Sequence, residues 1–176
     1  MTATNLAELY DLPVLELAAV TEGLGNALSQ APESGGPNRH SCWLTTINAD
    51  GSPHVTGIGA LWVDDTFWFT TGRTSRKGRN LAREPRCAIA TATAAADLVL
   101  EGRGELVTDP GLVAARAAAW AAEGWPCEVD ESGVALTAPF SAPSAGPPPW
   151  HVYRIEPTSI TALGMKEPGG ATRWTY

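Results

Sequence analysis

The chain has 176 residues, 44% of them hydrophobic and 18% charged, and a formal net charge of −7. At that length it buries about 70% of its unfolded surface and folds as one domain without disulfides or metal. The composition excludes a disordered chain, the acidity argues against general nucleic-acid binding, and no apolar run reaches the ~20 residues of a membrane span.

Residues 1–13 read as loosely ordered. They carry acids and no basic stretch, so no secretory leader is expected and the protein reads as cytoplasmic. Residues 14–30 place Leu15, Leu17, Ala18 and Leu24 at helical spacing, weakened by Gly23 and Gly25. Residues 31–38 are a loop by composition, and residues 1–39 together form an N-terminal extension. From residue 40 to 176 the chain reads as one β-rich domain. Strand 42–48 leads through the Asp50-Gly51 turn into the glycine-rich strand 54–63. There Gly57 and Gly59 share a face that something flat can approach. Asp64-Asp65 then turns the chain into strand 66–71.

Ser75 is a suitable cap for a helix of about three turns that Glu84-Pro85 ends. Strands follow over 87–93 and 97–107. Asp109-Pro110 opens a helix over 111–124. Residues 125–149 are irregular, with prolines at 139, 143, 147, 148 and 149 making a stiff extended loop. Strands over 150–157, 159–165 and 171–176 complete the chain. Hairpins predominate, so the expected class is mainly β: an antiparallel barrel or sandwich with two or three inserted helices.

Few constellations carry chemistry. Cys42, Cys87 and Cys127 are widely spaced and odd in number, which speaks against a disulfide framework or zinc site. The sequence has no HExxH, no GxSxG, no GxGxxG between strand and helix and no GxxxxGK[ST]. His54 follows a proline at a strand start, where a structural role is expected. Trp43, Trp62 and Trp68 read as core; Trp125, Trp150 and Trp174 flank loops or the terminus, where an aromatic can wall a pocket. The strongest local signal is Thr70-Thr71-Gly72-Arg73-Thr74-Ser75-Arg76-Lys77. A strand ends in two hydroxyls, a glycine turn follows, and a helix starts with two cations. Free N–H groups at a helix N-terminus, hydroxyl donors and an arginine fork suit a phosphate monoester. Arg73, Arg76, Lys77, Arg79, Arg83 and Arg86 are six of the twelve basic residues. On an acidic chain they suggest a discrete anion site; a solvated helix face is the alternative.

The series WLTTINADGSPHVTGIGALW, FWFTTGRTSRKGRNLAREPRCAIA and LEGRGELV resembles the pyridoxamine 5′-phosphate oxidase-like split β-barrel superfamily over residues 40–108. The tail, through EGWP, APSAGPPPW and TRW, is similar to the branch that uses the deazaflavin coenzyme F420. The resemblance implies a homodimer of antiparallel split barrels with two cofactors in grooves at the subunit interface. It implies Ser75, Arg76 and Lys77 at the cofactor phosphate, with Thr70 and Thr71 beside the phosphate and ribityl chain. It further implies Val55, Thr56 and Gly57 along the ring, Asn80 bracing the phosphate loop, and Trp174 covering the ring from the partner subunit. The R-x-H of the true pyridoxamine phosphate oxidases is missing from the tail Gly169–Tyr176, so vitamin B6 oxidation is not expected.

The expected function is therefore an F420-dependent oxidoreductase that transfers a hydride between the coenzyme and a small organic substrate. FMN in the same groove, or a non-catalytic flavin or deazaflavin carrier, are the alternatives. Trp125, Trp150 and the Pro-rich loop 139–149 would build the substrate pocket, and Arg73 and Arg79 would meet the coenzyme's polyglutamate tail.

Overall fold

The computed structural model describes residues 1–27, 42–142 and 145–176. In chain order the elements are β1 (Thr2–Asn5), α1 (Leu17–Thr21), α2 (Leu24–Ala27), β2 (Cys42–Ile47), β3 (Pro53–Ile58), β4 (Ala60–Val63), β5 (Thr66–Thr71) and α3 (Arg76–Arg83). They continue with β6 (Arg86–Ala92), β7 (Ala96–Leu106), α4 (Pro110–Ala122), β8 (Glu128–Val129), β9 (Leu136–Thr137), β10 (His151–Gly164) and β11 (Ala171–Thr175). Among the described residues no helix is long and apolar enough to cross a membrane.

The fold is a mainly antiparallel sheet that branches at one strand. Its path runs β1-β11-β10-β7-β6-β2-β3, and β5, with β4 beside it, also pairs with β10. β10 can serve both branches because of its length. Residues 151–154 meet β5, while 153–164 run along β7 and slip register between Pro157 and Ser159. Proline supplies no N–H to a ladder, so a bulge there is the expected accommodation. The two strands expected over 150–157 and 159–165 are therefore one bent strand.

β7 shows why these residues make a half-buried sheet. Ala96, Leu98, Leu100, Gly102 and Gly104 point inward, while Asp97, Val99, Glu101, Arg103 and Glu105 point out. Inward residues from β2, β5, β6, β7 and β10 form the main core around Leu44, Phe69, Ile89, Leu100 and Ile155. A second cluster, around Trp68, Val113, Trp120, Leu136 and Val152, packs α4 against the other side of β5 and β10.

Four expectations are corrected. Residues 1–13 are not loose: β1 pairs with β11 in register Thr2↔Thr175 and adds an edge to the main sheet. The expected 14–30 helix is two short pieces broken at Glu22-Gly23, its last three residues lying outside the described residues, as do loop 31–38 and the boundary at 39/40. Strand 54–63 is interrupted at Gly59, so Gly57 and Gly59 do not share one strand face. Trp43 is not core but 51% exposed. It pairs across the ladder with Gly57, and a Cβ built there would lie 3.7 Å from its ring, so the flat group on the glycine face is this indole.

Candidate active site

The strand end β5, the turn 72–75 and α3 form one hydrogen-bonded unit. Ser75 caps α3 by accepting from Gly78 N–H at 3.0 Å, and its Oγ lies 2.7 Å from Thr71 Oγ1. The turn lies so close to the helix that a Cβ at Gly78 would sit 2.4 Å from Gly72 O and 2.9 Å from Arg73 O. Only a residue without a side chain permits that approach. Asn80, 4% exposed, donates from Nδ2 to Thr46 Oγ1 and to Asn48 Oδ1, both at 3.1 Å. It pins the helix to β2 and so braces the turn. Thr71 is fully buried, and Thr70 is half-buried on the opposite face of β5.

Lys77 stands out electrostatically. The residue is 6% exposed, yet among the described residues its side chain has no carboxylate or hydrogen-bond partner. Burial pulls its ammonium below the usual lysine range. A partly desolvated cation without a countercharge favours a nearby anion. Arg76, exposed, opens the same helix. His54 comes close to both: burial first, then Arg76 and Lys77, lowers its pKa, and its Nδ1 lies 3.4 Å from Thr46 Oγ1. A ring next to this cluster was not expected at 54, where sequence alone suggested a structural role.

The structure brings Thr71, Ser75, Arg76, Lys77 and Asn80 together. It divides Val55, Thr56 and Gly57. Thr56 shares the His54 face of β3, while Val55 and Gly57 look out from the opposite face on the sheet's edge strand. It separates Trp174 from the group altogether. That indole is 3% exposed within the main core, because β11 is sandwiched between β1 and β10 and Trp174 faces inward. A side chain packed there has no face to present to a partner subunit.

The basic cluster also resolves. Arg76 and Lys77 belong to the turn, whereas Arg86 is ion-paired to Glu84 at 2.8 Å. Arg73, Arg79 and Arg83 line a cleft between α3, β7 and β10. Trp125 and Trp150 are tied to the loop that follows α4. Their N–H groups donate to Phe140 O at 2.7 Å and Gly146 O at 3.2 Å, so the indoles hold the Pro-rich loop from beneath. That loop packs on the site, with Ala145 O and Pro149 O within 4.0 Å of a Cβ built at Gly72. The three cysteines are buried and free, and burial pushes Cys42, Cys87 and Cys127 up to about 11, 12 and 11.

Comparison with known proteins agrees with this architecture. A pyridoxamine 5′-phosphate oxidase family model matches residues 33–164. A pyridoxine/pyridoxamine 5′-phosphate oxidase of Alkalilimnicola ehrlichii is 34% identical over 142 residues, covering 68% of this chain and 70% of that protein. Among solved structures, an F420 reductase superposes with a TM-score of 0.54 at 19% identity, covering 84% of this chain and 98% of that one. An FMN-binding, pyridoxamine 5′-phosphate oxidase-related protein from Nostoc punctiforme gives 0.51 at 19% identity, covering 76% of this chain and 78% of its own. At that identity the superpositions speak for the fold, and the family match and the curated relative speak for kinship: the chain belongs to the pyridoxamine 5′-phosphate oxidase family.

Proposed function

We propose that the protein is an oxidoreductase that binds the deazaflavin F420, with its phosphate at the α3 N-terminus, and transfers a hydride between that coenzyme and a small organic substrate. The observation that carries this reading is Lys77, a largely buried lysine without an anionic partner beside a capped helix start. A phosphate there would supply the missing countercharge. When bound, the coenzyme supplies a hydride donor or acceptor at its ring carbon.

The protein's own residues do the holding. Ser75 Oγ already accepts from Gly78 N–H and, with Thr71 as donor, from Thr71 Oγ1; its own proton is then free for a phosphate oxygen. Lys77 and Arg76 add charge-assisted bonds, and Asn80 keeps the helix at fixed distance from β2. Thr70 and Thr71 would flank the adjoining chain. Val55, Thr56 and Gly57 would line the ring from β3, whose outer edge is unpaired in the sheet and so offers backbone donors and acceptors. The Pro-rich loop over Gly72 shields that end of the groove from water.

A homodimer is part of the same reading. Gly57, Trp43, Ala90, Val99 and Thr161 lie side by side across β3, β2, β6, β7 and β10 on the outer face. Trp43, Val55, Val99 and Leu163 on that face are 51%, 55%, 38% and 52% exposed. A face with this many exposed apolar side chains suits a second copy of the chain.

Tryptophan fluorescence titration with F420 and FMN in parallel tests the reading. F420 is expected to bind tightly, and Arg76→Ala/Lys77→Ala to weaken it by about 100-fold, the loss of two charge-assisted bonds. Preference for FMN would move the function to flavin chemistry in the same groove. A loaded protein that reduces or oxidises no acceptor would make it a carrier. Binding of neither cofactor would sink the reading.

A further inference from the structure

β3 brings one more polar group to the N-terminus of α3. His54 is half-buried and shares the inward face of β3 with Thr56. It stands opposite Thr46 in the β2–β3 ladder, so the two side chains lie on the same face of the sheet. There its ring comes close enough to Arg76 and Lys77 to feel both charges. Among the described residues no carboxylate pairs with it.

A chain of hydrogen bonds fixes which ring nitrogen carries the proton. The Asn80 amide has two N–H groups and uses both, one on Thr46 Oγ1 and one on Asn48 Oδ1, each at 3.1 Å. Thr46 is fully buried, so its hydroxyl proton needs an acceptor inside the protein. Its Oγ1 lies 3.4 Å from His54 Nδ1, and among the described residues the hydroxyl has no other acceptor. The hydroxyl therefore donates to Nδ1. A neutral imidazole that accepts at Nδ1 carries its proton at Nε2. The charged ring does not suit this chain. Its Nδ1–H would meet an oxygen that already accepts from Asn80, and the threonine proton would be left without a partner. Burial first, then Arg76 and Lys77, lowers the His54 pKa from its ordinary value and favours the same neutral form.

Nε2–H is the free end of the chain. Among the described residues it donates to nothing. A neutral donor suits a place beside two cations, because it offers an anion a hydrogen bond without adding a third like charge. Asn80 then has two duties: it braces the turn through α3, and through Thr46 it sets the donor on β3.

We propose that His54 is an anion-binding residue of this site: Asn80 and Thr46 hold it as a neutral Nε2–H donor, and that N–H meets an oxygen of the phosphate held by Ser75, Arg76 and Lys77, an inference that rests on the phosphate reading of the same helix end. Thr46 is a positioning residue, acting on the ligand only through the ring.

Inorganic phosphate is the probe, titrated into cofactor-free full-length protein at about pH 8, above the ordinary histidine range. NMR follows the histidine ring nitrogens and the backbone amides of residues 75–77. The chain has three histidines, His40, His54 and His151, and His54→Gln assigns the signal. Phosphate is expected to move the His54 Nε2 signal in step with the amides while Nδ1 stays an acceptor, and to move neither in Arg76→Ala/Lys77→Ala. Amides that move without His54 overturn the proposal and leave the phosphate reading standing. Amides that do not move overturn both. Affinity gives the second readout. A glutamine amide nitrogen can stand where Nε2 stands, and an asparagine amide nitrogen only where Nδ1 stands. His54→Gln is expected to bind phosphate within about threefold of wild type, and His54→Asn about tenfold more weakly, one hydrogen bond to a charged group. Thr46→Val deletes the donor to Nδ1 and should weaken binding several-fold, while Thr46→Ser should keep the wild-type affinity. Equal losses in His54→Gln and His54→Asn would make the ring a packing group and overturn the proposal, even if Thr46→Val fails to fold.

Discussion

α3 and α4 are both side-chain-capped helices, and they are built on opposite principles. In α4, Asp109 Oδ1 accepts from Leu112 N–H at 2.8 Å and Pro110 stands in the first turn. An acid cap and an early proline agree with the helix dipole and with the missing first hydrogen bonds. Its buried residues, Val113, Ala117 and Trp120, recur at i, i+4 and i+7 and serve only packing. In α3 the cap is neutral Ser75, and the next two residues are Arg76 and Lys77. Cations in the first turn oppose the dipole by about 0.3–1 kcal/mol each, and one of these is also buried. A helix that breaks its local rules while its neighbour keeps them is where a ligand is expected.

The sharpest way to break the comparison is a methyl group in each helix. Gly78→Ala drives a Cβ to 2.4 Å from Gly72 O, a backbone atom that cannot swing aside. It is expected to cost about 3 kcal/mol in a urea melt and to loosen cofactor binding, because the turn must leave the helix. Gly111→Ala meets only Asp109 Oδ1 at 3.2 Å. It should stay within about 0.5 kcal/mol of wild type. Equal costs would mean that the turn against α3 is no tighter than ordinary packing.

Lys77→Met comes next. Replacing this partly desolvated, unpaired lysine with an apolar side chain of similar length should raise stability by about 1 kcal/mol while cofactor affinity falls at least tenfold. The pH dependence has a definite sign. Burial lowers the folded pKa of Lys77 below its ordinary 10.5. Between the lowered value and 10.5 the unfolded chain holds a proton that the folded chain has released, so stability rises with pH across that window. The rise should vanish in the variant. A variant less stable than wild type at neutral pH would make Lys77 a packing residue.

Much of this was legible in local pattern. Ser75 as cap, the α3 and α4 spans, and the strands on either side of α3 follow from short-range rules of capping, alternation and turn chemistry. What escaped depends on partners distant in sequence. Trp43 alternates like a core residue, and only its pairing with Gly57 shows that it lies on the outer face. Trp174 looks terminal and free, yet β1 closes over the strand that carries it. His54 carries no motif; it joins the cationic groups because β3 brings it to α3.

The smallest expected effect discriminates best, because it matches two variants in stability and lets binding decide. Ser75→Ala and Asp109→Ala each delete an N-cap bond, of 3.0 and 2.8 Å, and each should cost about 1 kcal/mol. Their thermal midpoints should therefore fall together. Their affinities should not. Ser75→Ala also removes the hydroxyl proposed to meet the phosphate and takes the partner from Thr71 Oγ1, so on the proposed reading F420 or FMN affinity should drop about tenfold, one bond to a charged group. Asp109→Ala touches neither the turn nor β3 and should hold its affinity within about twofold, an energy below RT ln 10. Equal affinities in the two variants would reduce Ser75 to a cap, and the anion would then rest on Arg76, Lys77 and His54.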